Sequence, residues 1–373
     1  MIKRKKKNKE HNPFYDPTLK KRHVSAKRFK KFTLTSLIFS VAFLAFFLFD
    51  MIGKGIPAFN IAYVKVDVTF NEKTLEDTRF AVSRDYRNLV SRAALRDLPK
   101  LLEENPTYMN STQNIWILAS SQVDQYIKNH NHNLKDKDIA KVDELYAQGL
   151  IDKKFNAIFF ENGDSKIPEY AGIFSAVIGS ILTLIITMAV AFPIGVMTAI
   201  YLEEFAGDNK FTRFIEININ NLAAIPSILF GLLGLAIFIN LFGMPRSSPL
   251  VGGLTLALMT LPIIIVSSRA ALRAVPDSIR QAGYGLGLNK IQVTRDHVLP
   301  LAFPGIMTGS IIGLAQAMGE TAPLIIIGMI AFIPDAPSMV TQAATVMPAQ
   351  LFTWAGMPEG MYIEKTAAGI LVL

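Results

Sequence analysis

The chain has 373 residues, 51% of them hydrophobic and 18% charged, with no cysteine and a formal net charge of +8. The missing cysteines exclude a disulfide framework, a thiolate metal site and a cysteine nucleophile. The apolar residues are bunched into uncharged runs at 32–49, 170–202, 217–245, 247–268 and 298–319. Each run has about the 18 residues or more that a helix needs to cross a hydrocarbon core about 30 Å thick. Buried helices of soluble proteins average only about 11–12 residues, so five such runs predict a polytopic membrane protein.

In chain order, residues 1–31 come first, with 13 Lys or Arg against Glu10 and Asp16. This run predicts a cytoplasmic, membrane-adjacent tail under the positive-inside rule. It is not read as a nucleic-acid-binding segment, because no aromatic interleaving or fold surrounds it. A retained first span is expected over 32–53, since no small-x-small cleavage site follows Phe49. Residues 54–169 then lie outside, with 16 Lys or Arg against 17 Asp or Glu. In this segment "AYVKVDVTF" (62–70) alternates apolar and polar residues like a half-buried strand. The stretch 80–102 has the charge and periodicity of a long amphipathic helix. "NIWILAS" and "FNAIFFENG" are further strand candidates, and "VDELYAQGLI" is a short helix. The expected product is an inserted α+β domain that serves as a spacer or docking surface, because its acids are scattered without catalytic or metal spacing.

The rest, 170–373, predicts an all-α membrane domain with spans at about 170–202, 217–243, 248–270 and 301–330. From Thr366 the chain reads "TAAGILVL", expected as a sixth span starting near 364 and truncated at Leu373. Residues 335–363 form an outer loop in this map. The polar insert between the fourth and fifth spans, residues 276–300, is then cytoplasmic. Pro276 suits a helix start, Asp277 suits the dipole at that end, and Gly287 suits a left-handed helix stop. A short amphipathic helix there, joined rigidly to the next span at Pro300, predicts a lever that docks in a groove of a cytoplasmic partner.

Within the spans, Glu320 stands alone. A charge in a span is costly, by about 2.5–3.5 kcal/mol on insertion scales, and usually faces a cavity or a partner. The expected partner is an arginine, either Arg269 or one on another subunit. Gln316 lies one turn before it. Asn218, Asn220 and Asn221 open the third span, as lining or as helix caps. No phosphate-cradling Gly-rich loop ending in Lys-Ser or Lys-Thr is present, so the chain has no ATP site of that kind.

The spacing of Gln281, Ala282 and Gly283, then Gly287, then His297, Leu299 and Pro300 resembles the EAA motif of ABC importer permeases. Ala282, Gly287, Leu299 and Pro300 match it. Gln281 replaces Glu, Gly283 replaces Ala and His297 replaces Ile. "FPIGVMTAIYLEEFA" (192–206), "NLAAIPSILFGLLGL" (221–235), "LTLALMTLPIII" (254–265), "ALRAVPDSIRQAG" (271–283) and "GETAPL" (319–324) are similar in order and spacing to the PstA family of phosphate ABC transporter permeases. The basic tail, first span and outer domain resemble the long N-terminal extension of some members. This resemblance implies an inner-membrane, multi-pass transport subunit of six spans with no cofactor of its own. It implies a second PstC-like permease, two PstB-like ATPases that bind ATP, and a PstS-like phosphate-binding protein as partners, with lipid around them. The ATPase-coupling segment would comprise Gln281, Ala282, Gly283, Gly287, Leu299 and Pro300. The candidate translocation path comprises Glu320, Gln316, Asn221 and Arg269. Import of another oxyanion, or a membrane sensor or scaffold built on the outer domain, are the alternatives. The sensor lacks a recognisable signalling element on the cytoplasmic side.

Overall fold

A computed structural model describes residues 18–330 and 332–373. The expected basic tail therefore lies in part, at residues 1–17, outside the described residues. Helix α1 (Leu19–Gly55) takes in both the basic residues after Leu19 and the apolar run. At about 1.5 Å per residue it is on the order of 55 Å long, so the second half of the expected tail is helical. Its apolar side chains, such as Phe39, Phe43 and Phe46, are exposed.

The inserted domain is built on a three-stranded antiparallel sheet in the order β2-β1-β3. These strands are Asn60–Thr69 (β1), Thr112–Leu118 (β2) and Ile151–Phe155 (β3). The alternation read from the sequence is real: Val64, Val66 and Val68 are buried. Val64 faces Ile117 on one side and Ile151 on the other. Helices α2 (Glu72–Glu76), α3 (Arg92–Arg96), α4 (Leu98–Glu104), α5 (Ser121–Ile127), α6 (Asp136–Ala147) and α7 (Ala157–Glu161) complete the domain. Leu89, Val123, Val142 and Leu145 close the core over the valine face.

Two expectations fail here. The stretch 80–102 is not one helix, because Val82 bridges Val68 and Val90 bridges Ala119 at the sheet. A turn at Ser83–Tyr86 and the Ser91 cap, which accepts from Ala93 N, then divide the segment. "FNAIFFENG" is not a strand after Phe155. Asn156 accepts from Phe159 N and starts α7 instead.

The membrane domain comprises α8 (Phe174–Ile200), α9 (Lys210–Ala223), α10 (Ser227–Gly234), α11 (Pro249–Arg273), α12 (Asp277–Gly285), α13 (Lys290–Val293), α14 (Leu299–Gly319), α15 (Ala322–Ile326), α16 (Met347–Ala355) and α17 (Gly360–Val372). Among the described residues four helices are long and apolar enough to span a membrane, or five if a bent pair is one span. Small residues set the packing. Ser175, Gly179, Thr183, Thr187, Ala191, Gly195 and Ala199 recur every fourth residue on α8, and all are buried. They let α11 approach closely: a Cβ on Gly195 would meet Ile264 at 2.7 Å, and one on Gly253 would meet Ile186 at 2.6 Å. The hydroxyls on this row are satisfied, as Thr187 donates to Thr183 O at 2.9 Å and Gly253 O at 3.2 Å. On α14, Gly305 lies against Ala271 and Gly309 against Ser267. Residue numbers rise together across α8 and α11 but oppositely across α11 and α14, so the first pair is parallel and the second antiparallel. Close backbone approach of this kind is the main source of helix association in lipid.

The span expected over 217–243 is broken. Helix α9 and the α10 segment, which continues to Leu241 as a π-helix, meet at 104°. Pro226 starts α10 with extended backbone, and its ring and missing N–H prevent a continuous helix. The span expected over 301–330 stops at Gly319, where Glu320 turns to ψ 121° before the short α15. The expected outer loop 335–363 contains α16, whose Trp354 donates to Asp164 at 2.8 Å. Helix α17 starts at Gly360 and is tied to the inserted domain, for Glu364 accepts from Gln125 at 2.6 Å and Lys128 at 3.1 Å. Buried Lys365 donates to Pro168 O and Ala171 O, both at 2.6 Å.

Replacing Gly309 by Val should separate α14 from α11, because a Cβ there falls 2.2 Å from Ser267 Oγ. Overpacking of this sort costs about 1–3 kcal/mol, to be read as a lower thermal unfolding midpoint in detergent. Gly207→Ala, with nothing near the new methyl, should leave the midpoint unchanged.

Candidate coupling site and membrane path

Helix α8 ends in a π-helical turn, Tyr201–Phe205, that carries Glu203 and Glu204 side by side. Glu204 is buried and receives Arg280 of α12 at 2.6 Å from Nη2 and 3.3 Å from Nε. The same guanidinium donates to Val275 O at 2.7 Å and Leu272 O at 3.0 Å. Arg280 thus adds a charged donor to carbonyls in the last turn of α11 and just beyond it, where a cation suits the dipole, while it grips the end of α8. The Glu204 carboxylate beside Arg280 holds its pKa above the usual arginine value. A second network lies alongside. Glu203 takes Arg273 at 2.8 Å and Arg269 at 3.4 Å, and Arg269 reaches Glu216 of α9 at 2.5 Å. Three acids and three arginines therefore join α8, α9, α11 and α12 at one end of the membrane domain.

Within the α12 segment, Gly287 adopts φ +82°. Leu288 N donates to Gly283 O at 3.2 Å and Gly287 N to Tyr284 O at 2.9 Å, the paired bonds of a Schellman stop. Gly283 is buried, and a Cβ on it would meet Val293 of α13 at 2.8 Å. The departure from Ala at this position is what lets α13 fold back on α12. A capping box of Asn289 and Gln292 starts α13. The chain then runs on through a π-helical turn, Thr294–Val298, as one 30-residue helix from Lys290 to Gly319. Pro300 consequently does not end the polar insert, because the fifth span's helix begins ten residues earlier in the sequence. The wider turn before it tolerates the missing N–H. Leu299 is half-buried and Pro300 exposed. Gln281 and Ala282 are exposed, together with a set of apolar side chains: Tyr284 at 45%, Leu286 at 80% and Ile291 at 64%.

The path residues do not assemble as expected. Arg269 is engaged with Glu203 and Glu216 and is no partner for Glu320. Since Gly309 faces Ser267, Arg269 lies level with about residue 307. Glu320 is then on the order of 20 Å farther along the helix axis. Glu320 is half-buried, and its carboxylate has no hydrogen bond or ion pair among the described residues. Gln316 and Asn221 are exposed. The asparagines do not cap a helix start, for they lie in the second half of α9, where Asn218 donates to Phe214 O at 2.8 Å.

Sequence reasoning missed Glu203, Glu204, Glu216, Arg273 and Arg280. A usable signal was there: two adjacent carboxylates directly after an apolar run, and arginines at 269 and 273, one helical turn apart. The geometry separates the two glycines of α12. Gly283→Ala should push α13 away and lower the unfolding midpoint. Gly285→Ala meets nothing within 4 Å and should stabilise by up to about 1 kcal/mol through helix propensity. Parallel melts of the two variants check this ordering.

The family description "Binding-protein-dependent transport system inner membrane component" matches residues 191–353. A domain of unknown function, DUF3333, matches 16–83 and 76–136. The chain is 30% identical over 226 residues to the phosphate transport system permease protein PstA of Yersinia pestis, covering 60% of this chain and 74% of that one. It is 36% identical over 160 residues to PstA of Mycobacterium leprae, covering 43% of this chain and 52% of the relative. To the probable ABC transporter permease protein YqgI of Bacillus subtilis it is 33% identical over 168 residues, covering 45% and 56%. The chain thus spans about half the length of the latter two relatives. Among solved structures, an inward-facing MetNI methionine ABC transporter aligns with 54% of this chain and 89% of its own at 18% identity and a TM-score of 0.42. This multi-pass membrane chain belongs to the PstA family of binding-protein-dependent ABC importer permeases.

Proposed function

We propose that this chain is a permease subunit that carries inorganic phosphate inward across the bacterial inner membrane, driven by ATP hydrolysis on a separate subunit. One observation carries the coupling part of this reading. Helix α12 is anchored from within by Arg280 on Glu204, and Tyr284 on it, Leu286 at its C-terminal cap and Ile291 on the adjoining α13 are exposed. A short helix fixed to two spans, with apolar side chains left exposed, suits a groove on an ATPase. The substrate rests on the relatives named phosphate permeases. The positive-inside rule puts the N-terminus and α12 in the cytoplasm and the sheet domain outside. The assembly we propose has a PstC-like second permease, two PstB-like ATPases and a PstS-like binding protein.

In this reading, motion of α12 reaches the spans by two routes. One is the ion pairs to α8, α9 and α11, and the other is the unbroken helix from Lys290 to Gly319. Glu320, Gln316 and Asn221 face the second permease, and an arginine of that subunit neutralises Glu320 so that the anion can pass.

Cells lacking their own phosphate importer should take up phosphate when given the complete system and not when this chain is omitted. Leu286→Asp, at a site 80% exposed, should leave the chain assembled in the membrane but abolish uptake and the substrate dependence of ATP hydrolysis. Unchanged uptake by that variant would remove α12 from the coupling. Uptake of molybdate but not phosphate by the intact system would overturn the substrate.

A further inference from the structure

The inserted α+β domain has a cavity of about 510 Å³ whose charge is not balanced. Its wall holds Arg79, Arg87, Arg92 and Arg96 against a single acid, Asp77. That acid is already taken, since Arg79 forks onto it at 2.6 Å from Nη2 and 2.9 Å from Nε. Asp77 also offsets part of the charge of Arg87 at longer range, which leaves Arg92 and Arg96 without a counter-charge on the cavity wall. Arg92 and Arg96 stand four apart on α3, so their side chains share one face and repel each other. Neither makes a hydrogen bond or ion pair among the described residues.

Arg87 is held differently. Its Nε donates to Val82 O at 3.1 Å and its guanidinium lies 5.0 Å from the Phe80 ring centroid. The backbone at Val82 is itself fixed by the bridge to Val68 on the sheet. One arginine is thus set in place while two exposed ones remain free to close. Thr78 and Asn88 add neutral donors to the same wall. The positive field extends beyond the cavity, because Arg92 and Arg96 also line an adjoining cleft of about 620 Å³ with Lys135 and Lys166. That cleft also holds three acids, Asp138, Glu169 and Glu359, against five basic residues, and Glu169 accepts from Ser121 N at 2.5 Å.

From this arrangement we infer that the α+β domain is an anion-binding module whose cavity takes a small tetrahedral oxyanion, gripped by Arg87, Arg92 and Arg96. Planar guanidinium forks match pairs of oxygens on such an ion, and a dianion relieves the repulsion between Arg92 and Arg96. Singly charged, spherical ions offer no paired oxygens and are poor substitutes. The site is separate from the membrane path and does not depend on the chain being a transporter.

The test uses the full chain purified in detergent, titrated with inorganic phosphate by calorimetry at constant ionic strength. Saturable binding is expected, and chloride at the same ionic strength should not displace the phosphate. Arg92→Gln with Arg96→Gln should weaken binding by about tenfold or more, as expected when charge-assisted hydrogen bonds are lost. Both residues are exposed, so the unfolding midpoint should not fall. If the double Gln variant does not fold, Arg92→Lys with Arg96→Lys keeps the charge and removes the forks, and it too should bind more weakly. Absence of saturable binding by the unaltered chain, equal displacement by chloride, or undiminished binding by the double variant would each overturn the inference. Phosphate uptake by cells is a separate readout, so failure here leaves the transport reading standing, and the reverse holds as well.

Discussion

The grip of Arg280 on Glu204 is the contact on which the membrane domain's working end depends. Burying two charges carries a desolvation cost that their mutual attraction often fails to offset. Here the remaining donors of the guanidinium are not left idle, because they reach the carbonyls of Leu272 in the last turn of α11 and Val275 just beyond it. One side chain therefore bonds the end of a helix, joins two spans and sets the start of a third element. Helix α12 has nine residues, two of them interior or terminal glycines, and a helix so short is marginal alone in water. Its position follows from the clamp and from the Gly287 stop rather than from its own propensity.

Behind the clamp lies a block of helices packed at backbone distance. The row of small residues on α8 and the glycines of α14 leave little side-chain volume between them and α11. Contacts this tight leave side chains such as Ile186 and Ile264 little room to change rotamer. The bent pair α9–α10 is interrupted instead, its helix breaking at Pro226 and turning by 104°. Glu216 on α9 nevertheless ties the first half to the same charged network through Arg269.

Much of this was legible in the residues. The β1 alternation survives because only its valine face is buried, with Lys65, Asp67 and Thr69 on the other, and the apolar runs survive because lipid imposes length. Gly287 was readable because few other residues adopt its backbone conformation without strain. Long-range pairings were not readable. Residues 80–102 have helical periodicity, yet bridges from Val82 and Val90 to the sheet outweigh it. Glu320 looked like the natural partner of Arg269, but antiparallel packing of α11 and α14 places them far apart. Arg269 instead meets acids from α8 and α9 that are distant in sequence. In the sequence Gly283 stood only as a departure from Ala, and only the approach of Val293 shows why a side chain is excluded there. These misses concern contacts between elements, which local pattern does not encode, whereas the Asn156 cap and the Pro226 break are local.

The central claim is that Arg280 and Glu204 act as one unit in carrying substrate-dependent motion from the ATPase to the spans. A double-mutant cycle measures this directly, using Arg280→Gln, Glu204→Gln and the two together in the reconstituted complex, with substrate-stimulated ATP hydrolysis as the readout. Interacting residues give non-additive effects in such a cycle. Each single change should lower stimulation, and the double variant should be no worse than the worse single. Losses that simply add, or singles that keep full stimulation, would contradict the account.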